Sequence, residues 1–280
     1  MDFSTVDSAL TGTRFMTSAQ ARVMYDFVVE HRLARVLELG FAHGKSSCYL
    51  AAAVEEVDPE RGHVTTIDRT DAERRDPNIW ELGRRTGLSE RITPVMAHTS
   101  FTWEMMKLLR EDPTPRFDLV YIDGGHTWDT TGFAFHLADR LLVPGGWMVL
   151  DDLDWTLGGS DSMREKTWVK RLSPEERDSG QVRLVFELLM QGGGYEQCHE
   201  VGKWGFGRKP AGPVTPVVGS TARVPRVALP PTHAPRRPRD LRDLVRRTVP
   251  VEVRRSVLRV APEWAHRLYR RGADRTGATH

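Results

Sequence analysis

Carboxylates follow two short apolar runs in the middle of the chain. Asp123 comes directly after the run LVYI, and the pair Asp151 and Asp152 comes directly after the run WMVL. His126 stands three residues beyond the first of these acids. Because ligand chemistry in α/β proteins lies at the carboxyl ends of parallel strands, we expect these four side chains to share one site.

Three carboxylates held close together repel one another unless a cation lies among them. Carboxylate oxygens are the ligands that Mg²⁺ and Mn²⁺ prefer, in contrast to the nitrogen and sulfur ligands of zinc. We therefore predict that Asp123, Asp151 and Asp152 bind Mg²⁺ or Mn²⁺. His126 is a candidate catalytic base beside them, because histidine is the side chain most often used for general base catalysis. The alternative is that the paired acids cap the loop that follows and that His126 caps a helix.

Apolar runs of strand length alternate with helical patterns along residues 17–209. The predicted strands cover 34–39, 63–67, 91–96, 119–122 and 147–150, and the predicted helices cover 17–31, 44–57, 77–87, 100–110, 129–141 and 173–191. Two further short strands are expected around Gly202 and Lys203. This alternation predicts an α/β fold, with a Rossmann-like, doubly wound sheet of about seven strands, helices on both faces and an antiparallel last hairpin.

The stretch ELGFAHG at 38–44 follows the first predicted strand. A glycine at a strand-to-helix turn lets a ligand approach the backbone, and the helix N-terminus offers free N–H donors. A dinucleotide fingerprint needs G-x-G-x-x-G, but Ala42 stands at the second glycine position. Asp68 ends the second strand, where an acid can bind both hydroxyls of a ribose.

The pattern E-x-G-x-x-x-G, the acid at position 68, the run DLVYID and the turn LLVPGG resemble the motifs of class I S-adenosylmethionine-dependent methyltransferases. The resemblance covers residues 17–209. It implies that Glu38, Gly40 and Gly44 face the methionine part of the cofactor and that Ser46 reaches its carboxylate. An internal hydrogen-bonding role for Glu38 is the alternative.

The same resemblance assigns three more cofactor contacts. It implies that Asp68 holds the ribose, that His98 after the third strand contacts the adenine, and that Asp123 adjoins the cofactor. A plain helix cap is the alternative for Asp68.

The sequence DGGHTW, followed further on by the paired acids, resembles metal-dependent O-methyltransferases of sugars and natural products, including those of macrolide tailoring. The resemblance implies a Mg²⁺-dependent transfer of a methyl group to a hydroxyl of a sugar or glycosylated secondary metabolite. A catechol-type phenolic acceptor is the alternative, although such enzymes usually have Asp-Asn at the paired position. Trp128 and Trp155 are candidates for a platform under the acceptor ring, with core packing as the alternative.

The charge of the chain is distributed unevenly. Residues 211–280 contain 15 arginines and five acids, a net charge of +10 against +2 for the whole chain, which leaves −8 for residues 1–210. Eight of the 17 prolines fall within 210–238. We therefore predict a methyltransferase domain at 1–209, a Pro-rich linker at 210–238, and a basic, partly helical tail at 239–280.

An acidic domain argues against a nucleic-acid substrate, so the expected partner is a small-molecule acceptor. The basic tail suggests an exposed segment, or a peripheral contact with a membrane or another protein. Cys48 and Cys198 form no disulfide framework, and no apolar run reaches the length of a membrane span. We expect a cytoplasmic protein and a homo-oligomer.

Overall fold

One mixed sheet organises the chain in the computed structural model, which describes residues 2–212. Its strands are β1 (Arg35–Leu39), β2 (His63–Arg69), β3 (Ile92–Ala97), β4 (Phe117–Ile122), β5 (Leu142–Leu150), β6 (Glu196–Val201) and β7 (Trp204–Arg208). They lie in the order β3-β2-β1-β4-β5-β7-β6. Strands β1 to β5 are parallel, whereas β7 is antiparallel to both β5 and β6. The predicted seven-stranded sheet with an antiparallel last hairpin is confirmed.

Helices cover both faces of this sheet. They are α1 (Phe3–Ala9), α2 (Ser18–Glu30), α3 (Lys45–Val57), α4 (Ile79–Thr86), α5 (Phe101–Glu111), α6 (Trp128–Leu141), α7 (Pro174–Asp178) and α8 (Gln181–Val185), which continues as a π-helix over Phe186–Gln191. Successive strand residues point to opposite faces. Val36 accordingly packs in the hydrophobic cluster that includes α2 and α3, and Leu37 packs in the cluster that includes α5 and α6.

The ends of two early elements follow from simple local chemistry. Thr17 begins α2 with a capping box, in which its hydroxyl accepts from the Gln20 N–H and the Gln20 side chain accepts from the Thr17 N–H. Pro94 lies within β3, which pairs only with β2 at the sheet edge. An edge strand needs its N–H groups on one side alone, so proline is compatible with it.

Two features differ from the predicted elements. The helix predicted at 173–191 is interrupted at Ser179 and Gly180. A Cβ at Gly180 would lie 2.7 Å from the Leu153 carbonyl oxygen, so the chain passes too close to that loop to continue as a helix. Helix α1 has no counterpart among the predicted helices, because its seven residues bury only Phe3 and Val6 and give little periodicity.

The predicted linker and tail lie outside the described residues, apart from 210–212. No helix within 2–212 combines the length and the apolar character needed to cross a membrane.

Candidate active site

The carboxyl ends of β1, β2, β4 and β5 meet at one edge of the sheet, because these strands are parallel neighbours. A cavity of about 230 Å³ opens there. It is lined by the turn after β1, by Asp68 near the end of β2, and by Asp123, His126, Asp151 and Asp152 after β4 and β5. The structure therefore brings the predicted cofactor loop and the predicted metal site to a single cavity.

Both glycines of the turn after β1 have a packing role. Gly40 has φ +94°, and a Cβ there would lie 2.1 Å from the carbonyl oxygen of Asp123. Gly44 has φ +91°, and a Cβ there would lie 2.6 Å from the Ile79 side chain. Since only glycine fits these positions, the turn after β1 can rest directly against the end of β4. Contact between these glycines and a cofactor remains a prediction.

Glu38 lies beneath the turn and is fully buried. The hydroxyls of Ser47 and Thr66 donate to its carboxylate, the latter at 2.6 Å. Burial raises the pKa of Glu38 to about 7, although the hydroxyl donors lower it. The internal hydrogen bonds that were the alternative for this residue are thus present. Ser46, the second residue of α3, lines the cavity itself.

Asp68 holds the shape of the same turn. Its Oδ2 accepts hydrogen bonds from the backbone N–H groups of Phe41 at 2.9 Å and Ala42 at 2.7 Å. Its Oδ1 accepts one from Arg69 at 2.7 Å. The carboxylate still lines the cavity and keeps acceptor capacity for a ribose hydroxyl. His98 is exposed after β3 and does not line this cavity, so its predicted contact with adenine has no support from the geometry.

Three donors converge at the carboxyl ends of β4 and β5. Asp123, His126 and Asp152 each offer one ligand atom, and these atoms all lie within 4.8 Å of one another. The His126 Nε2 atom is 3.4 Å from Asp152 Oδ2 and 4.0 Å from Asp123 Oδ1. This Nε2 atom is buried and has no hydrogen-bond partner. The arrangement is one that a metal ion or an acceptor hydroxyl can satisfy.

Asp151 lines the same cavity but is not a member of this group. Its side chain is 1% exposed, and it accepts from the hydroxyl of Tyr121, from Lys203 at 2.9 Å and from the backbone N–H of Asp152 at 2.6 Å. The structure therefore brings together two of the three predicted carboxylate ligands and engages the third with protein donors.

Lys203 was not among the predicted site residues. It lies in the turn between β6 and β7, where its Nζ is 2.8 Å from Asp152 Oδ1 and 2.9 Å from Asp151 Oδ1. Burial lowers the pKa of Lys203. The carboxylates of Asp151 and Asp152 raise the pKa by a larger amount, so the net shift is upward. The predicted hairpin around Gly202 was the one available signal, and it does not reveal where the turn points.

The charges around the cavity floor are strongly coupled. Desolvation and the charge of Asp151 raise the pKa of Asp123 well above its ordinary range. Desolvation also acts on Asp152, but His126 and Lys203 lower the pKa of Asp152 to about 2. The raised pKa favours a proton on Asp123, and a divalent cation bound there would displace that proton. The three carboxylates, once all ionised, and the Lys203 ammonium would together carry a net charge of −2, which the cation would neutralise.

The two tryptophans considered for an acceptor platform are separated. The ring of Trp155 lies 4.9 Å from the His126 ring, centroid to centroid, with an interplanar angle of 41°. Trp128 is 41% exposed and lines a second cavity on the other side of the His126 loop.

Known proteins were compared with the chain at the level of sequence and of structure. Residues 37–153 match the family model described as a methyltransferase domain. No curated protein sequence matches the chain.

Solved O-methyltransferases are among its structural neighbours. TomG from Streptomyces achromogenes, solved with S-adenosylmethionine, has a TM-score of 0.53 and 21% identity, with 74% of this chain and 89% of TomG covered. The O-methyltransferase from Bacillus cereus, solved with SAH, has a TM-score of 0.51 and 18% identity, with 75% and 92% covered.

The MycE methyltransferase of the mycinamycin biosynthetic pathway, solved with Mg, SAH and mycinamycin VI, has a TM-score of 0.50 and 19% identity. The match covers 75% of this chain and 54% of MycE. At these identities the likeness shows the fold. Residues 37–153 therefore match a methyltransferase domain, and the chain has the Rossmann-like fold of these methyltransferases.

Proposed function

We propose that the protein is a Mg²⁺-dependent O-methyltransferase that moves a methyl group from S-adenosylmethionine to a hydroxyl of a sugar or glycosylated secondary metabolite. One observation carries the proposal. The ligand atoms of Asp123, His126 and Asp152 lie within 4.8 Å of one another, in the same cavity as the turn after β1. Methyl donor, metal and acceptor can therefore meet in one place.

The residues present fit the methyl donor. The N-terminus of α3 lies at the cavity through Lys45 and Ser46, and its free N–H groups suit a carboxylate. The acids Asp68 and Asp123 suit a ribose diol and the positive charges of the cofactor. Glu38 is proposed to act from beneath, by holding the turn that contacts the methionine end.

The residues present also fit a divalent metal. Asp123 and Asp152 would hold Mg²⁺ or Mn²⁺ through carboxylate oxygens, with water completing the coordination. When bound, the ion would orient two neighbouring acceptor oxygens and make the reacting hydroxyl more acidic. We propose that Asp151 supports this arrangement from behind, because its oxygens already accept from Tyr121, Lys203 and the Asp152 N–H.

His126 is the proposed catalytic base. Mg²⁺ takes oxygen ligands, whereas imidazole suits transition metals, so a magnesium enzyme leaves the His126 Nε2 free to take the hydroxyl proton. The methyl group would then pass to the deprotonated oxygen: the O–C bond would form as the S–C bond of S-adenosylmethionine breaks, S-adenosylhomocysteine would leave, and His126 would keep the hydroxyl proton. The protein's main contribution would be to hold the two reactants in line. The ring of Trp155, tilted against the His126 ring, would restrict the movement of the imidazole.

The acceptor remains a proposal that rests on the sequence pattern. Asp152 stands where catechol-type enzymes usually have asparagine, which favours a sugar hydroxyl over a phenol. The phenolic acceptor is kept as the alternative because two adjacent phenolic oxygens can use the same carboxylates. Both cysteines are free, which agrees with the expected reducing, cytoplasmic location.

A methyl-transfer screen over sugar and catechol acceptors, with and without EDTA, tests the proposal. We expect transfer to a sugar or glycoside that EDTA abolishes and Mg²⁺ or Mn²⁺ restores. Activity that resists the chelator would remove the metal from the proposal. Transfer to catechols alone would move the function to the phenolic alternative.

A further inference from the structure

A second cavity, of about 820 Å³, lies on the other side of the loop that carries His126. Gly125 and Thr127 line this second cavity, whereas His126 between them lines the first. One loop therefore separates the candidate active site from a larger space. Both cavities border this loop, so a ligand that contacts both of its sides would reach both cavities.

Indole rings dominate the apolar part of this second cavity. Trp128 is 41% exposed and Trp168 is 45% exposed, and both line it together with Leu184. Exposed tryptophans that share a concave site are typical of ligand recognition, because their rings give a large contact area.

Hydrogen bonds from a buried amide fix one side of this cavity. The backbone N–H of Trp128 donates to Gln181 Oε1 at 2.6 Å, and Gln181 Nε2 donates to the Glu176 carbonyl oxygen at 2.6 Å. Gln181 is only 9% exposed. The start of α6 is therefore tied to α7 and α8, and the cavity is preformed.

The polar part of the cavity carries one sign of charge. Asp129, Glu175 and Glu176 line it, and among the described lining residues there is no lysine, arginine or histidine. Two nearby arginines have other partners: Arg177 pairs with Asp178 at 2.8 Å and Arg183 pairs with Asp154 at 2.6 Å.

Helix dipoles offset only part of this negative charge. The three carboxylates stand in the first turns of α6 and α7, and a helix N-terminus is equivalent to about half a positive charge. Two such termini cancel roughly one carboxylate. A net negative potential remains beside two indole rings, and this combination attracts an organic cation through charge and cation–π contact.

We propose that the second cavity binds a protonated amine carried by the acceptor, so that the substrate class is an amine-bearing sugar or glycoside. The link to the acceptor rests on the proposed function. The amine would lie against Trp128 and Trp168 and face Glu175. The hydroxyl to be methylated would lie on the other side of the loop, beside His126.

Binding of choline to the full chain tests this cavity without any methyl transfer. The matched neutral probe is 3,3-dimethyl-1-butanol, which replaces the quaternary nitrogen by carbon. Indole N–H signals in ¹H–¹⁵N spectra report the contact, with Trp128 and Trp168 assigned by single Trp→Phe changes. We expect choline to shift these two signals and to bind about three- to fivefold more tightly than the neutral probe, as an exposed cation–π contact gives.

Three variants sharpen the test. Trp168→Leu and Glu175→Gln should each weaken choline binding by about threefold. Trp80→Leu is the matched control, because Trp80 is a similarly exposed tryptophan, on α4, that lines neither cavity. Its removal should leave choline binding unchanged.

The proposal would be overturned if the protein bound choline and 3,3-dimethyl-1-butanol with equal affinity. It would also be overturned if Trp80→Leu weakened choline binding as much as Trp168→Leu does. The outcome is independent of the proposed function. Choline binding without methyl transfer to any acceptor would leave the cation site standing and remove the enzyme activity. Methyl transfer without choline binding would do the reverse.

Discussion

Lys203 and Asp151 form an ion pair of 2.9 Å in which the carboxylate is 1% exposed. The pair joins the turn between β6 and β7 to the end of β5, far apart in sequence but adjacent in the sheet. The antiparallel hairpin thus supplies a positive charge to a site whose other residues come from the parallel strands.

We expect Lys203→Met to lower the free energy of unfolding by about 2–3 kcal/mol, because Asp151 would stay buried without its cation. This is below the full cost of breaking a buried pair, since the Lys203 side chain is 39% exposed. Urea denaturation at neutral pH measures the change. Lys203→Arg, which keeps the charge, is the control. Full stability of Lys203→Met would mean that the ion pair has no structural role.

Substitution of the three acids should separate ligands from supporting groups. Asp123→Asn and Asp152→Asn should each weaken Mn²⁺ binding by more than about 100-fold. Asp151→Asn should weaken Mn²⁺ binding by only roughly 10–100-fold, because the loss of a group that orients a metal ligand has an effect of this size. Electron paramagnetic resonance of free Mn²⁺ gives the affinities. A larger loss for Asp151→Asn than for Asp152→Asn would restore Asp151 as a direct ligand.

His126→Ala should reduce turnover by about 10²–10⁴-fold, the usual contribution of a general base. The affinity for S-adenosylmethionine, measured by calorimetry, should be nearly unchanged. The affinity for Mn²⁺ should also persist if His126 is a base. Loss of metal binding in this variant would make His126 a ligand, and loss of cofactor binding would make it structural.

Glu38 should make the stability of the cofactor-free protein depend on pH. Its pKa rises on folding from an ordinary 4.5 to about 7, so the folded state favours the protonated form. The contribution is fully present below pH 4.5 and is lost as pH rises through 7, amounting to up to about 3 kcal/mol. In Glu38→Gln the free energy of unfolding should no longer fall for this reason between pH 5 and pH 8. Urea titrations at the two pH values measure the difference.

The exposed Glu90 provides the matched control, because Glu90→Gln should leave the pH dependence intact. Parallel stability profiles for Glu38→Gln and the unchanged protein would contradict the buried, proton-binding role of Glu38.

The strands and the meeting of acids at one sheet edge could be predicted because apolar runs and parallel connections determine both. Asp151 and Asp152 both follow the end of β5, so the alternation of side chains along a strand does not determine their directions. Asp152 has φ +58°, and the sequence pattern does not reveal this departure from an extended backbone.

Lys203 could not be predicted as a site residue, because its position depends on how the last hairpin pairs with β5. That pairing sets Leu150 opposite Gly205 and brings the turn over the acids. The break at Gly180 depends in the same way on a contact with Leu153, distant in sequence. The contact between His98 and adenine stays a prediction: His98 follows β3 as expected, and its exposed side chain does not line the cavity.

The contact between Gly40 and the Asp123 carbonyl oxygen means that the two halves of the site cannot be adjusted independently. A methyl group at position 40 would need room that only a shift of the whole turn can give, since its Cβ would lie 2.1 Å from that oxygen. Transfer between two bound molecules requires reacting atoms about 3–3.5 Å apart, and a displacement of about 1 Å can cost roughly 100-fold in rate. The absence of a side chain at Gly40 therefore keeps the turn after β1 close enough to β4 for the proposed transfer.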